Sequence, residues 1–183
     1  MANQKELTQK KLKINNNSIL IPKKLPKIKD LKELANKSLV LALGPIALLS
    51  FLGYKIKSKK VESILNFFKC ALAAKQLADD SKDWLNDLKA GLLTNVTSKI
   101  LKFAAKTRTN INLKSDLSYI YLLFANEVAP GVIYDLKVLC DKAENSMSKN
   151  EPKNKAIILN KLIKPIKTAC QKAEKFRNLV LEN

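Results

Sequence analysis

Apolar positions recur three and four residues apart over most of this chain, in separate runs. Val61, Ile64, Leu65, Phe68 and Leu72 form the first run, with Ala71, Ala73 and Ala74 beside them. That spacing predicts a helix from about 58 to 78. Trp84, Leu85, Leu88, Leu92, Val96, Ile100 and Phe103 form a second run, over about 81–106. Its acids (Asp83, Asp87) come first and its lysines (Lys99, Lys102, Lys106) last, as the helix dipole favours. Asp79-Asp80-Ser81-Lys82-Asp83 reads as a capped, tight turn between these two helices. It lacks the glycine and the distal glutamate of a calcium loop. Leu117, Ile120, Tyr121, Leu123, Phe124 and Val128 predict a third helix, N-capped by Ser115 and apolar on most sides. Pro130-Gly131 should break it, with Val132, Ile133, Leu136, Leu139 and Cys140 resuming it as far as Ser146.

After a loop over 147–154 comes a final helix, 155–181. Its seam of Leu159, Leu162, Ile166, Ala169, Ala173, Phe176 and Val180 alternates spacings of three and four, and Pro165 should kink it. With four glycines and six prolines in the whole chain, turns are too few for a sandwich or barrel. The expectation is an all-α fold, with an antiparallel four-helix bundle over 58–183. The seam through Leu159, Leu162, Ile166 and Phe176 offers a surface for a protein partner or a second copy.

One stretch departs from this amphipathic rule. Ser38 to Tyr54 is 17 residues without a charge, closed by Lys37 on one side and by Lys55 and Lys57 on the other. As one helix it would reach ~26 Å, against about 30 Å for the hydrocarbon core of a bilayer. Gly44-Pro45 stands near its middle. Three arrangements compete: a short transmembrane helix kinked at Pro45, a shallow wedge turning at Gly44-Pro45, or a helix pair buried in a soluble core. The fifteen residues before the stretch carry six lysines and the fifteen after it carry five. So balanced a distribution sets no orientation and puts both flanks on one side. We expect residues 38–57 to be a membrane-contacting segment. Leu39, Leu41, Leu43, Ile46, Leu48, Leu49, Phe51 and Leu52 would touch lipid. Lys37, Lys55, Lys57, Lys59 and Lys60 would face anionic head groups.

Residues 1–37 hold ten lysines against Glu6, Asp30 and Glu33. Asn15-Asn16-Asn17-Ser18, Pro22 and Pro26 interrupt any regular pattern. The tail is expected to be largely disordered, with a helix starting near Lys27. It makes a poor secretory signal, because the charged part is too long and no A-x-A site follows.

The formal net charge of +18 rests on 34 basic residues, of which Arg108 and Arg177 alone are arginines. Lysine acts as a point charge and lacks the bidentate fork that reads bases, so the charge suits nonspecific attraction to anions. An AT-biased composition, rich in asparagine and isoleucine, is the plainer source of it. The alternative to a membrane protein is a soluble, nonspecific nucleic-acid-binding protein.

Histidine is absent, which removes Ser-His-Asp and Cys-His catalysis and histidine-ligated metals. The glycines fit no phosphate-binding loop. Cys70, Cys140 and Cys170 are far apart and lie among apolar neighbours, as buried free thiols of a reducing compartment would. Asn16, Asn36 and Asn95 head N-x-S/T triplets, a weak signal in a chain so rich in asparagine. One constellation invites inspection: Glu127 and Asp135 bracket Pro130-Gly131, near Tyr119, Tyr121 and Tyr134. Solvated or lysine-paired carboxylates are its simpler reading. No cofactor, metal or catalytic residue is expected, and no motif is specific enough to name a family. The leading expectation is a non-enzymatic, membrane-associated helical protein on the cytoplasmic side.

Overall fold

The computed structural model of the chain describes residues 12–25, 30–147, 157 and 159–181, except for the side chains of Lys37 and 176–181. In chain order its elements are β1 (Ile14–Asn15), β2 (Ser18–Leu20), 3-10 segments at Leu31–Lys37 and Leu39–Ala42, and α1 (Leu43–Phe51). Then follow α2 (Lys59–Lys89), α3 (Asn95–Ala104), β3 (Asn110–Asn112), α4 (Leu117–Leu123), a π turn (Phe124–Val128), α5 (Ala129–Ser146) and α6 (Lys164–Leu181). The fold is mostly helical. The helices expected as one bundle over 58–183 divide between two compact units. One takes Met1–Lys29 with Asp79–Val132, the other Asp30–Ala78 with Ile133–Asn183.

The first unit contains a small sheet where composition suggests an irregular tail. β1 and β2 form an antiparallel hairpin, with Ile14 opposite Ile19. Asn16 and Asn17 make the turn with φ of 49° and 63°. A two-residue loop with both φ positive matches the twist of a hairpin, and asparagine tolerates that region better than most residues. β3 adds to the other edge of β2 and sets Ile111 against Ile19; both are fully buried. The core of this unit is the inner face of α3 (Val96, Ile100, Leu101, Ala104) together with Ile19, Ile111 and Ile120.

Three helix boundaries differ from those the sequence predicts. α2 is one helix of 31 residues, so Asp79 to Asp83 lie inside it and form no turn. Leu77, Asp80, Trp84 and Leu88 are all buried, and their spacing carries one stripe straight through the acidic cluster. Trp84 is core, stacked on Phe124 with ring centroids 4.8 Å apart.

The expected helix 81–106 is divided at Gly91, whose φ is +72°. The Gly91 N–H donates to Leu88 O (3.1 Å) and the Leu92 N–H to Asp87 O (2.8 Å), the bond pair of a Schellman cap. α3 then restarts from a reciprocal cap. The Thr94 hydroxyl accepts from the Thr97 N–H (3.3 Å), and the Thr97 hydroxyl accepts from the Thr94 N–H (2.7 Å).

Pro130-Gly131 produces no break. Upstream, the Ala129 N–H donates to Phe124 O. The π turn is a local widening of the helix, and the chain passes through it directly into α5.

In the second unit α6 packs on α5 through ion pairs. Lys137 reaches Glu174 (2.6 Å), and Lys167 reaches both Asp141 (2.8 Å) and Glu144 (2.7 Å). The helix before α6 is interrupted at Ile163, just ahead of Pro165. The expected seam is rotated. Ile163 and Cys170 are buried, Leu159, Leu162 and Ile166 are half-buried, and Ala169 and Ala173 are exposed. The side chain of Phe176 lies outside those described. Lys167 and Glu174 lie on the same face as the buried Ile163 and Cys170, at spacings of three and four, and the ion pairs flank that face.

Candidate functional site

The uncharged stretch does not form one long helix. Leu39–Ala42 is a 3-10 turn, and α1 begins at Leu43, so Pro45 is its third residue. In a first turn the missing proline N–H removes no intrahelical bond. Gly44-Pro45 therefore starts a helix, where a kink or hairpin turn was expected. At the other end Gly53 (φ +82°) is the cap. Its N–H donates to Ser50 O and the Tyr54 N–H to Leu49 O, each at 3.0 Å. α1 is nine residues long, and among the described residues no helix is long and apolar enough to cross a membrane.

Nor is the stretch swallowed by a core. Ala42 and Leu49 are buried, and Pro45 and Ile46 half-buried, which defines the inner face of α1. The outer face, apart from Ser50, is apolar as well. Leu41, Leu43, Leu48, Phe51 and Leu52 are all exposed, Phe51 at 89%. Of the eight side chains expected to touch lipid, these five stand in the open, Leu39 and Ile46 partly so, and Leu49 points inward. A helix that is apolar all round is normally covered all round. This one presents a continuous apolar face to solvent, a feature that marks interaction sites.

Lysines rim that face on its C-terminal side. Lys55, Lys57 and Lys59 are exposed. Lys60 is turned back: its Nζ donates to the Tyr54 hydroxyl at 3.4 Å and lies 4.8 Å from the ring centroid. Lys37 ends the 3-10 segment Leu31–Lys37. No acid occurs between Glu33 and Glu62. Val40 and Ile56 extend the apolar surface, Ile56 being 72% exposed between Lys55 and Lys57. Ile56 escapes a search that stops at the first charged residue. The readable signal was an apolar residue alternating with lysines just beyond a glycine cap.

Glu127 is exposed on the π turn and Asp135 is half-buried on α5. Of the neighbouring tyrosines, Tyr134 is exposed and two have other contacts. Tyr119 shares a 2.9 Å hydroxyl bond with Thr107 and lies under Arg108, and Tyr121 packs edge-on against Trp84. Cys70, Cys140 and Cys170 are buried and free. Burial raises all three thiols, and Cys140, next affected by nearby Cys170, is pushed up to about 12. Such thiols are poor nucleophiles. Among the described residues no three acidic or cysteine side chains gather as a metal site would need. Asn95 of the third N-x-S/T triplet is buried in the first turn of α3. No protein-family model, curated protein or solved structure matches this chain.

Proposed function

We propose that this chain is a non-enzymatic, membrane-associated protein. α1 lies flat in the surface of an anionic bilayer, and the helical body is held there for contacts with other proteins. The observation that carries the reading is the outer face of α1, uncharged, exposed and apolar apart from Ser50, with three exposed lysines beside it. Nine residues reach only about 14 Å, half of a hydrocarbon core, so α1 would lie in the interface without spanning it. Leu43, Leu48, Phe51 and Leu52 would each contribute up to about 1.5–3 kcal/mol on leaving water. Lys55, Lys57 and Lys59 would add ~1 kcal/mol each near an anionic leaflet. Together these supply the two signals that stable anchoring requires.

The test is co-sedimentation of the full chain with vesicles of phosphatidylcholine, with and without phosphatidylserine. Binding should be strengthened by the anionic lipid and should fall by about tenfold or more in a Leu48→Ser/Phe51→Ser variant. No binding to either vesicle, with binding to duplex DNA instead, would replace this reading with the nucleic-acid one.

A further inference from the structure

We infer that the α1 surface selects loosely packed anionic leaflets, such as those of small, highly curved vesicles, over tightly packed ones of equal charge; this rests on the membrane reading above. The reason lies in where the charge is placed. A helix that lies free in a bilayer surface usually carries lysines along its polar face, and these hold it to head groups wherever it settles. α1 carries none, since Ser38 to Tyr54 is uncharged. The position of a polar face is taken by the protein itself, through Ala42 and Leu49. With its inner face covered, the helix enters a leaflet to the depth of its outer side chains.

Those side chains are bulky. Leu43, Leu48, Phe51 and Leu52 form a broad wedge with no long side chain to snorkel around it. The nearest lysines follow the Gly53 cap, at Lys55, Lys57 and Lys59. They draw the surface onto anionic head groups, but they sit outside the wedge and cannot open the layer for it. Entry then depends on room already present between head groups. Curvature and unsaturated chains supply that room, while flat, saturated leaflets withhold it.

The experiment is flotation of the full chain with vesicles of dioleoyl phosphatidylcholine and phosphatidylserine at about three to one, sonicated to ~30 nm or extruded to ~200 nm, at equal accessible lipid. At least about fivefold more chain should float with the small vesicles. The Leu48→Ser/Phe51→Ser variant alters two exposed positions, and circular dichroism checks its fold. It should keep a weak, charge-dependent binding that is the same for both sizes. Equal binding of the unaltered chain to both sizes overturns the selection and leaves the membrane reading standing. Binding to neither size overturns both.

Discussion

Gly91 sits where two demands meet. Its φ of +72° is one that L side chains rarely adopt, at a cost of roughly 1–2 kcal/mol. The segment leading into β1 also crosses it closely. The Leu12 N–H donates to Gly91 O at 2.7 Å, and a Cβ on Gly91 would lie 3.0 Å from Leu12 O. Gly53 shares the first demand (φ +82°) without the second, since nothing lies within 4 Å of its Cβ position. Gly91→Ala should therefore lower the unfolding free energy by about 2–3 kcal/mol and Gly53→Ala by only about 1 kcal/mol, read as urea midpoints at unchanged slope.

Asp116 supplies a second residue-scale expectation. The Asn112 N–H on its Oδ2 (2.8 Å) and then Arg108 on its Oδ1 (2.8 Å) hold its carboxyl below the usual range. Unfolding returns it to about 3.9. Its stabilisation is thus complete above that value and is lost as the pH falls through the lower folded pKa. The gap in melting temperature between the unaltered chain and Asp116→Asn should be open at neutral pH. It should close only under acid, below about pH 4.

At the scale of elements, what was legible followed from periodicity and what was missed followed from termination. Helical spacing around Val61, Leu72, Leu88, Ile100 and Ile120 marks elements that form, although Phe67 and Leu77, both fully buried in α2, lie outside the predicted run. The boundaries depend on single caps that periodicity does not encode. Thr94 and Thr97 make a reciprocal cap without the usual acid, and a π turn leads straight into α5 where a break at Pro130 was expected. The hairpin was hidden because its partner strand lies about ninety residues away, so Ile19 has no local reason to be buried. For α1 the sequence showed an apolar helix and left open which side was covered. That distinction has a stability test of its own. Leu49→Ala removes a side chain that is 8% exposed and should cost about 2–4 kcal/mol; Phe51→Ala removes one that is 89% exposed and should stay within about 0.5 kcal/mol. Equal losses at the two positions would mean that the outer face is covered after all.

For the whole molecule, a formal charge of +18 ensures that some attraction to any anionic surface will be measured. Attraction alone therefore says little about α1. Salt separates the two contributions, because screening acts on the lysines and leaves apolar insertion intact. The Debye length falls from about 10 Å at 0.1 M to about 3 Å at 1 M. Across that range the full chain should lose most of its binding to anionic vesicles yet keep a fraction that further salt does not remove. That remaining fraction should vanish in Leu48→Ser/Phe51→Ser, whose lysines are unchanged. Complete release of the unaltered chain by salt would reduce the interaction to charge alone. The exposed face of α1 would then need another occupant, and a second copy of the chain, detectable as a concentration-dependent mass in solution, would be the first to look for.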